Sequence, residues 1–329
     1  FVFHFFFYFC ILITVMSSTL KNYLAQLKVK DFPATTANNG NVVVVKTSDN
    51  LKSTMNLLNE HNIYSAPVFD DDKNQYVGMI DMIDIADFIV DNFEHSKFLG
   101  PGFEAIFDQA QHFLEATVAD VANLSKRNLF VPVSEESNLL SVVNLLTENR
   151  VHRVCVFGSD DKTLVNIITQ SAVIDFVNRH NFSAVEKKTV EELKLGTTPV
   201  LSVDINSPTI DAFRLLRQAG VYAVPIINKS IGKQIVANIS CKDARAAAKD
   251  PSKIHLLYAP LSQFLAEKNK KQIDIETPSI TCSSNDTIRT VIDRIVANRI
   301  HRVYVLDKTN APQAIITLTD VLKALLKIQ

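Results

Sequence analysis

The chain has 329 residues, of which 47% are hydrophobic and 21% charged, so it can bury a sizeable core and does not have the composition of a disordered chain. Lys and Arg number 34 against 35 Asp and Glu, a net charge of −1. No global field therefore draws the chain to nucleic acid, and any anion site must be built from a few local charges. Only 8 glycines occur, with no G-x-G-x-x-G or G-x-x-x-x-G-K-[ST], which counts against Gly-rich phosphate loops. The four cysteines are isolated, which counts against a zinc ribbon or disulfide framework and fits a reducing compartment.

Phe1 to Val15 is an apolar run with six Phe. As a helix it would reach ~22 Å, short of the ~30 Å of membrane hydrocarbon. It lacks the basic n-region and small-x-small site of a signal peptide. Met16, followed by Ser-Ser-Thr, reads as an ordinary start, so residues 1–15 are expected to lie outside the working protein.

Beyond it, apolar residues recur at helical spacing over Leu51–Glu60, followed by Ile63-Tyr64-Ser65-Ala66-Pro67-Val68-Phe69, a polar turn, a β-rich run Tyr76–Ile80 and a second helix near Asp84. A helical insertion follows from Phe93 to Leu124, broken at Gly100-Pro101-Gly102. The same order returns three times. The first helices are Leu139–Asn149, Ile210–Gln218 and Ile288–Asn298, the second β runs are Thr163–Ile168, Gln234–Ile239 and Ala314–Thr317, and the second helices begin near Ser171, Asp243 and Asp320. Asn149-Arg150-Val151-His152-Arg153-Val154-Cys155-Val156 matches Asn298-Arg299-Ile300-His301-Arg302-Val303-Tyr304-Val305 at six of eight positions. Val221-Tyr222-Ala223-Val224-Pro225-Ile226-Ile227 resembles the Tyr64 segment. Odd units share Tyr and Pro and even units share Asn-Arg-h-His-Arg, so the pattern is an α/β helix-strand-strand-helix unit, paired and then duplicated as 25–183 and 186–329. One unit has too little apolar surface to fold alone, so neighbours must stack.

Two features carry candidate chemistry. At the junction of second strand and second helix stand Asp81-Met82-Ile83-Asp84, Ser240-Cys241-Lys242-Asp243 and Thr317-Leu318-Thr319-Asp320, with Thr169-Gln170-Ser171-Ala172 lacking the acid. Helix capping explains one such motif. Its recurrence also suits a carboxylate that accepts ribose hydroxyls beside a hydroxyl and helix N–H groups that meet phosphate. The second feature is the pair His152-Arg153 and its copy His301-Arg302, where a guanidinium fork and an imidazole could hold phosphate, against the plainer reading of surface or turn packing. Asp81, Asp84 and Asp87 read as one solvated helix start rather than a metal site, Asp70-Asp71-Asp72 as a turn, and Lys268-Asn269-Lys270-Lys271 as an exposed basic loop. Neither H-E-x-x-H nor G-x-S-x-G occurs, so catalysis is not expected.

From about residue 25 to the end the units resemble CBS repeats, and four in a row resemble the gamma subunit of AMP-activated protein kinase. The likeness is carried by Tyr76-Val77-Gly78-Met79-Ile80 leading to Asp84-Ile85-Ala86-Asp87-Phe88-Ile89, Val151-His152-Arg153-Val154, Val190-Glu191-Glu192-Leu193-Lys194-Leu195-Gly196-Thr197, Ile300-His301-Arg302-Val303 and Ile316-Thr317-Leu318-Thr319-Asp320. The resemblance implies two CBS pairs assembled as a flat disc with four clefts around a centre. Asp84, Asp243 and Asp320 would then hold ribose, Ser240, Thr317 and Thr319 would touch ribose or phosphate, and His152, Arg153, His301 and Arg302 would form a central cationic cluster. Where the family carries cations this chain has Tyr64, Ser171-Ala172 and Ala219-Gly220, which implies weaker phosphate binding or a preference for less charged ligands such as AMP. The implied function is a non-catalytic regulatory subunit binding AMP, ADP or ATP, with no catalytic cofactor, partnered by a kinase catalytic subunit and a scaffold subunit. Neither nucleic acid nor membrane is expected as a partner, and the expected location is cytoplasm or nucleus. The alternative is a four-CBS scaffold or inhibitor of another partner, such as a protein phosphatase, with little nucleotide dependence.

Overall fold

The computed structural model describes residues 20–34, 41–93, 103–127, 129–148, 151–180, 187–248, 251–269 and 281–327. The apolar leader and Gly100-Pro101-Gly102 lie outside the described residues, as do Asn149 and Arg150.

After α1 (Leu20–Gln26), unit one runs β1 (Val45–Lys46), α2 (Leu51–Glu60), β2 (Ser65–Asp70), β3 (Gln75–Asp81) and α3 (Met82–Asn92), followed by α4 (Phe103–Glu115) and α5 (Val118–Val121). Unit two is β4 (Pro132–Ser134), α6 (Leu139–Glu148), β5 (Arg153–Phe157), β6 (Leu164–Thr169) and α7 (Gln170–Arg179). Unit three is β7 (Val203–Asp204), α8 (Thr209–Ala219), β8 (Ala223–Asn228), β9 (Gln234–Ser240), a 3-10 turn Cys241–Asp243 and α9 (Ala244–Ala248), with α10 (Leu261–Asn269) beyond it. Unit four is β10 (Thr281–Cys282), α11 (Ile288–Asn298), β11 (Arg302–Leu306), β12 (Pro312–Thr317) and α12 (Leu318–Lys327).

Each unit is a three-stranded sheet in sequence order, its first strand parallel to the second and its second antiparallel to the third. The parallel pair needs a crossover, and the first helix supplies it. In α2 the crossover is fixed by Leu51, Met55 and Leu58, buried at helical spacing, and by Asn50, whose Oδ1 accepts the Ser53 N–H at 2.8 Å. The opening strands escaped the sequence reading because two or three residues show no alternation. All four hairpins carry a register shift at the same place, Val68/Phe69, Val156/Phe157, Ile226/Ile227 and Val305/Leu306, which marks four copies of one unit.

Consecutive units meet through their sheets. Met79 of unit one packs on Cys155 and Phe157 of unit two, and Tyr304 Oη of unit four donates to Asn238 Oδ1 of unit three at 2.5 Å. Helices make the other seams. One core joins units one and three, where α3 lies against α8, α9 and the Cys241–Asp243 turn. A second joins units two and four, where α12 packs on α6 and α7, and α7 on α11. Sheet seams and helix seams therefore alternate around a closed ring in the order one, two, four, three. No helix among the described residues is long and apolar enough to cross a membrane.

Gly196 ties the segment before unit three to unit four. Its φ of +108° suits glycine, and Thr197 exchanges backbone hydrogen bonds with Ile315 at 2.8 and 3.1 Å. A Cβ there would meet Ile315 O and Ile316 Cγ1 at 3.2 Å. Gly196→Ala is expected to cost about 2 kcal/mol, read as a lower urea midpoint with an unchanged slope.

Candidate functional site at the hub of the ring

Helix-to-strand turns of units two and four and strand-to-helix turns of units one and three bring their side chains together at the hub. His152 and Arg153 come from the start of β5, His301 and Arg302 from the start of β11, Lys242 from the 3-10 turn of unit three, and Asp81 from the end of β3. Contacts cross the ring between diagonal units. The His152 ring lies 4.4 Å from the Tyr222 ring, and His301 meets Tyr64 edge-on at 6.3 Å. Lys242 Nζ sits 3.7 Å above the centre of the Tyr64 ring, a cation–π contact. Unit three thus supplies a cation on the very tyrosine that stands where the resemblance expects one from unit one.

The electrostatics follow from crowding like charges in a poorly solvated place. Burial, then the guanidinium groups of Arg153 and Arg302, pull the His152 imidazole down to about 4. Burial, then Lys242, Arg302 and Arg153, pull His301 down to about 2. Burial and Arg302 lower Lys242 to about 8. Both imidazoles are therefore neutral near pH 7, and their part is to donate or accept single hydrogen bonds. Arg153 Nη2 is ion-paired with Asp81 Oδ2 at 2.8 Å. Arg153, Lys242 and Arg302, with Arg245 5.5 Å from the Tyr64 ring, face the one carboxylate of Asp81, so cations predominate at the hub. Arg153 Nε and Tyr222 Oη are buried with no hydrogen-bond partner among the described residues.

The three motif acids fare differently. Asp84 is 0% exposed, with Oδ2 accepting the Asp81 N–H at 3.0 Å and Oδ1 the Ser125 N–H at 2.9 Å. Burial raises its carboxyl to about 6 against the lowering effect of those bonds. Asp243 Oδ2 accepts Ser240 N at 2.7 Å and Ser240 Oγ at 3.0 Å, while its Oδ1 holds Lys268 Nζ at 2.7 Å. Asp320 is half-buried and uses one oxygen: Oδ2 accepts Thr317 N at 2.8 Å and Thr317 Oγ1 at 2.6 Å. Its Oδ1 carries no partner among the described residues. Thr319 Oγ1 accepts Gln170 Nε2 at 2.9 Å, so this hydroxyl lies on the seam with unit two.

Two sequence expectations need correction. Asp81, Asp84 and Asp87 are not a solvated helix start, being 3%, 0% and 5% exposed. Asp81 pairs with Arg153 and Asp87 with Arg127, whose Nη2 also donates to the Arg217 carbonyl of α8 at 2.9 Å, which fastens unit one to unit three. Lys268 belongs to α10 and binds Asp243, rather than lying in a solvated loop; Lys270 and Lys271 fall outside the described residues. No group of three metal-binding side chains occurs among the described residues. Lys242, Asp81, Tyr64 and Tyr222 were not singled out as site residues. The available signal was positional: Lys242 and Asp81 stand inside the quoted junction motifs, and the tyrosines in the shared h-Y-x-x-P segments.

The CBS domain family matches residues 29–91, 117–179 and 271–327, more than half of the chain. Unit three has no such match, yet it repeats the same sheet and the same register shift. Over 298 residues the chain is 28% identical to the 5'-AMP-activated protein kinase subunit gamma of Dictyostelium discoideum, covering 87% of this chain and 50% of that protein. It is 28% identical to an Arabidopsis thaliana protein named SNF1-related protein kinase regulatory subunit gamma-1-like, covering 68% of this chain and 52% of the other. The gamma subunit of Kluyveromyces lactis is 26% identical over 87% of this chain and 85% of its own length. The chain thus spans about half the length of the first two relatives. A crystal structure from Methanocaldococcus jannaschii, named for its likeness to g-AMPK, shares the fold with a TM-score of 0.67 at 17% identity, over 87% of this chain and 97% of that one.

Proposed function

The chain belongs to the CBS-domain family, and from that premise we propose that it is a non-catalytic regulatory subunit of a protein-kinase complex that binds adenine nucleotide at its fourth unit. The observation that carries this reading is the asymmetry of the three acids. Asp84 is sealed and Asp243 is held by Lys268, while Asp320 keeps a free carboxylate oxygen. A free carboxylate oxygen can accept ribose hydroxyls. Arg302 and Lys242 are near enough to depress the neutral His301, and the three are the groups proposed to meet a phosphate. The cation-rich hub and the unpartnered Arg153 Nε and Tyr222 Oη are the surroundings that a polar anion would satisfy. The names of the relatives, protein kinase subunit gamma and protein kinase regulatory subunit, support a kinase catalytic subunit as partner, and a scaffold subunit is proposed beside it. Regulation requires that AMP and ATP favour different arrangements of ring or partner, since equal affinity for two states shifts nothing.

Calorimetry and thermal unfolding with AMP, ADP and ATP test the reading. A ligand at about 100 times its Kd should add about 2.7 kcal/mol of stability. Asp320→Ala should weaken nucleotide binding at least about tenfold while costing the fold only the ~1 kcal/mol of a lost cap. The second reading, a scaffold or phosphatase inhibitor, is favoured by the two occupied acids. Absence of any shift with all three nucleotides at millimolar levels would establish it over the first.

A further inference from the structure

Three units place a hydroxyl at the junction before the second helix, namely Thr169, Ser240 and Thr317; unit one places the carboxylate of Asp81 there. Capping does not require this difference, because Ser and Thr cap as well as Asp. What the carboxylate adds is charge inside the hub. Asp81 is 3% exposed and held from both sides. Its Oδ1 accepts the Ile83 N–H at 3.0 Å, its own N–H donates to Asp84 Oδ2 at 3.0 Å, and its Oδ2 takes Arg153 Nη2 at 2.8 Å. The carboxylate is thus held at both oxygens, one by its own helix and one by unit two, while its backbone N–H is tied to Asp84. Burial raises the Asp81 carboxyl, against the lowering effect of Arg153, the Ile83 N–H and Lys242, the cation that unit three contributes to the same helix seam.

We infer that Asp81 is a specificity-determining residue: a built-in anion that takes one Nη of Arg153 and limits the hub to ligands carrying one phosphate, excluding polyphosphates. The inference rests on the reading that the hub receives the phosphate of an adenine nucleotide, and within that class it names nucleoside monophosphates. The charge balance is direct. A single phosphate can be met by Arg302 and Lys242, whereas each further phosphate charge is repelled by Asp81, which already takes Arg153 Nη2. At separations of ~8 Å and an effective dielectric of ~20, one such charge changes affinity by about tenfold or more.

The test uses the full chain with Asp81→Asn, which keeps the Oδ1 cap, and Asp81→Ser, which restores the hydroxyl of the other units. Each is titrated calorimetrically with adenosine, AMP, ATP and inorganic tripolyphosphate. The expected result is unchanged adenosine affinity, AMP tightened a few-fold, and ATP and tripolyphosphate tightened at least about tenfold. Variants that unfold as cooperatively as the parent but bind ATP and tripolyphosphate no more tightly overturn the inference and leave Asp81 a structural ion pair. Should adenosine and AMP bind no form of the protein while tripolyphosphate is still tightened, the nucleotide reading falls and the charge limit stands.

Discussion

Replacing Asp84 by Ala should lower global stability by about 3–4 kcal/mol, several times the ~1 kcal/mol expected of Asp320→Ala, although both acids hold the same motif position. The difference is burial. Asp84 has no exposure and satisfies two backbone N–H groups, of Asp81 and of Ser125, which lies 41 residues later. Removing the carboxyl leaves the buried Asp81 donor and the half-buried Ser125 donor unpaired, at ~1–3 kcal/mol each. It also loosens Asp81, which anchors Arg153 of unit two. Asp84→Asn should fall between the two, because its amide oxygen keeps one acceptor. Urea denaturation of the three variants decides the matter. An Asp84→Ala loss no larger than that of Asp320→Ala would mean that neither donor depends on the carboxyl.

The second large effect is an acid-dependent weakening that originates at the hub. Unfolded histidine titrates near ~6.5, whereas the native imidazoles of His152 and His301 are held at about 4 and about 2. Below about pH 6.5 the unfolded chain binds protons that the native chain refuses, so stability falls as pH falls toward about 4.5. At ~1.36 kcal/mol per pH unit the two groups together could cost ~5 kcal/mol, reduced to about 3 because both rings are partly solvated. Asp84 works in the other direction. Its carboxyl, raised to about 6, takes up its proton in the native state first and recovers part of the loss over the same window. The clean comparison is therefore between the wild type and the double variant His152→Gln/His301→Gln. Across about pH 7.5 to 4.5 the variant should gain about 3 kcal/mol relative to the wild type. Parallel pH curves would show that neither imidazole is excluded from protonation.

Much of the ring was legible in the sequence because its signals are local and repeated. The helices Leu51–Glu60 and Ile288–Asn298 match their predicted bounds, since an apolar face at helical spacing between caps specifies both ends. The copied His152-Arg153 and His301-Arg302 indicated shared geometry, and Arg302, Arg153 and His152 lie near enough to His301 to depress its imidazole. What could not be read was anything decided by contacts distant along the chain. Nothing local distinguishes Asp84 from Asp320; the distinction comes from Ser125 and the tight packing of α3 against unit three. Lys268 looked like a solvated charge because its partner, Asp243, lies 25 positions earlier and meets it only once α10 is in place. Lys242 reads as a capping-motif neighbour until the ring brings Tyr64 beneath it.

The alternation of sheet seams and helix seams has a consequence for fragments. Cutting the chain between its duplicated halves would leave each half with an intact sheet contact and a wholly uncovered helical face, made of the apolar residues that now join one with three and two with four. Because the two halves are copies of each other, that face is nearly self-complementary. A half-length product should therefore recruit its own twin, or invade an intact ring and displace the matching half, and so act as a dominant poison of the intact ring rather than as an inert remnant.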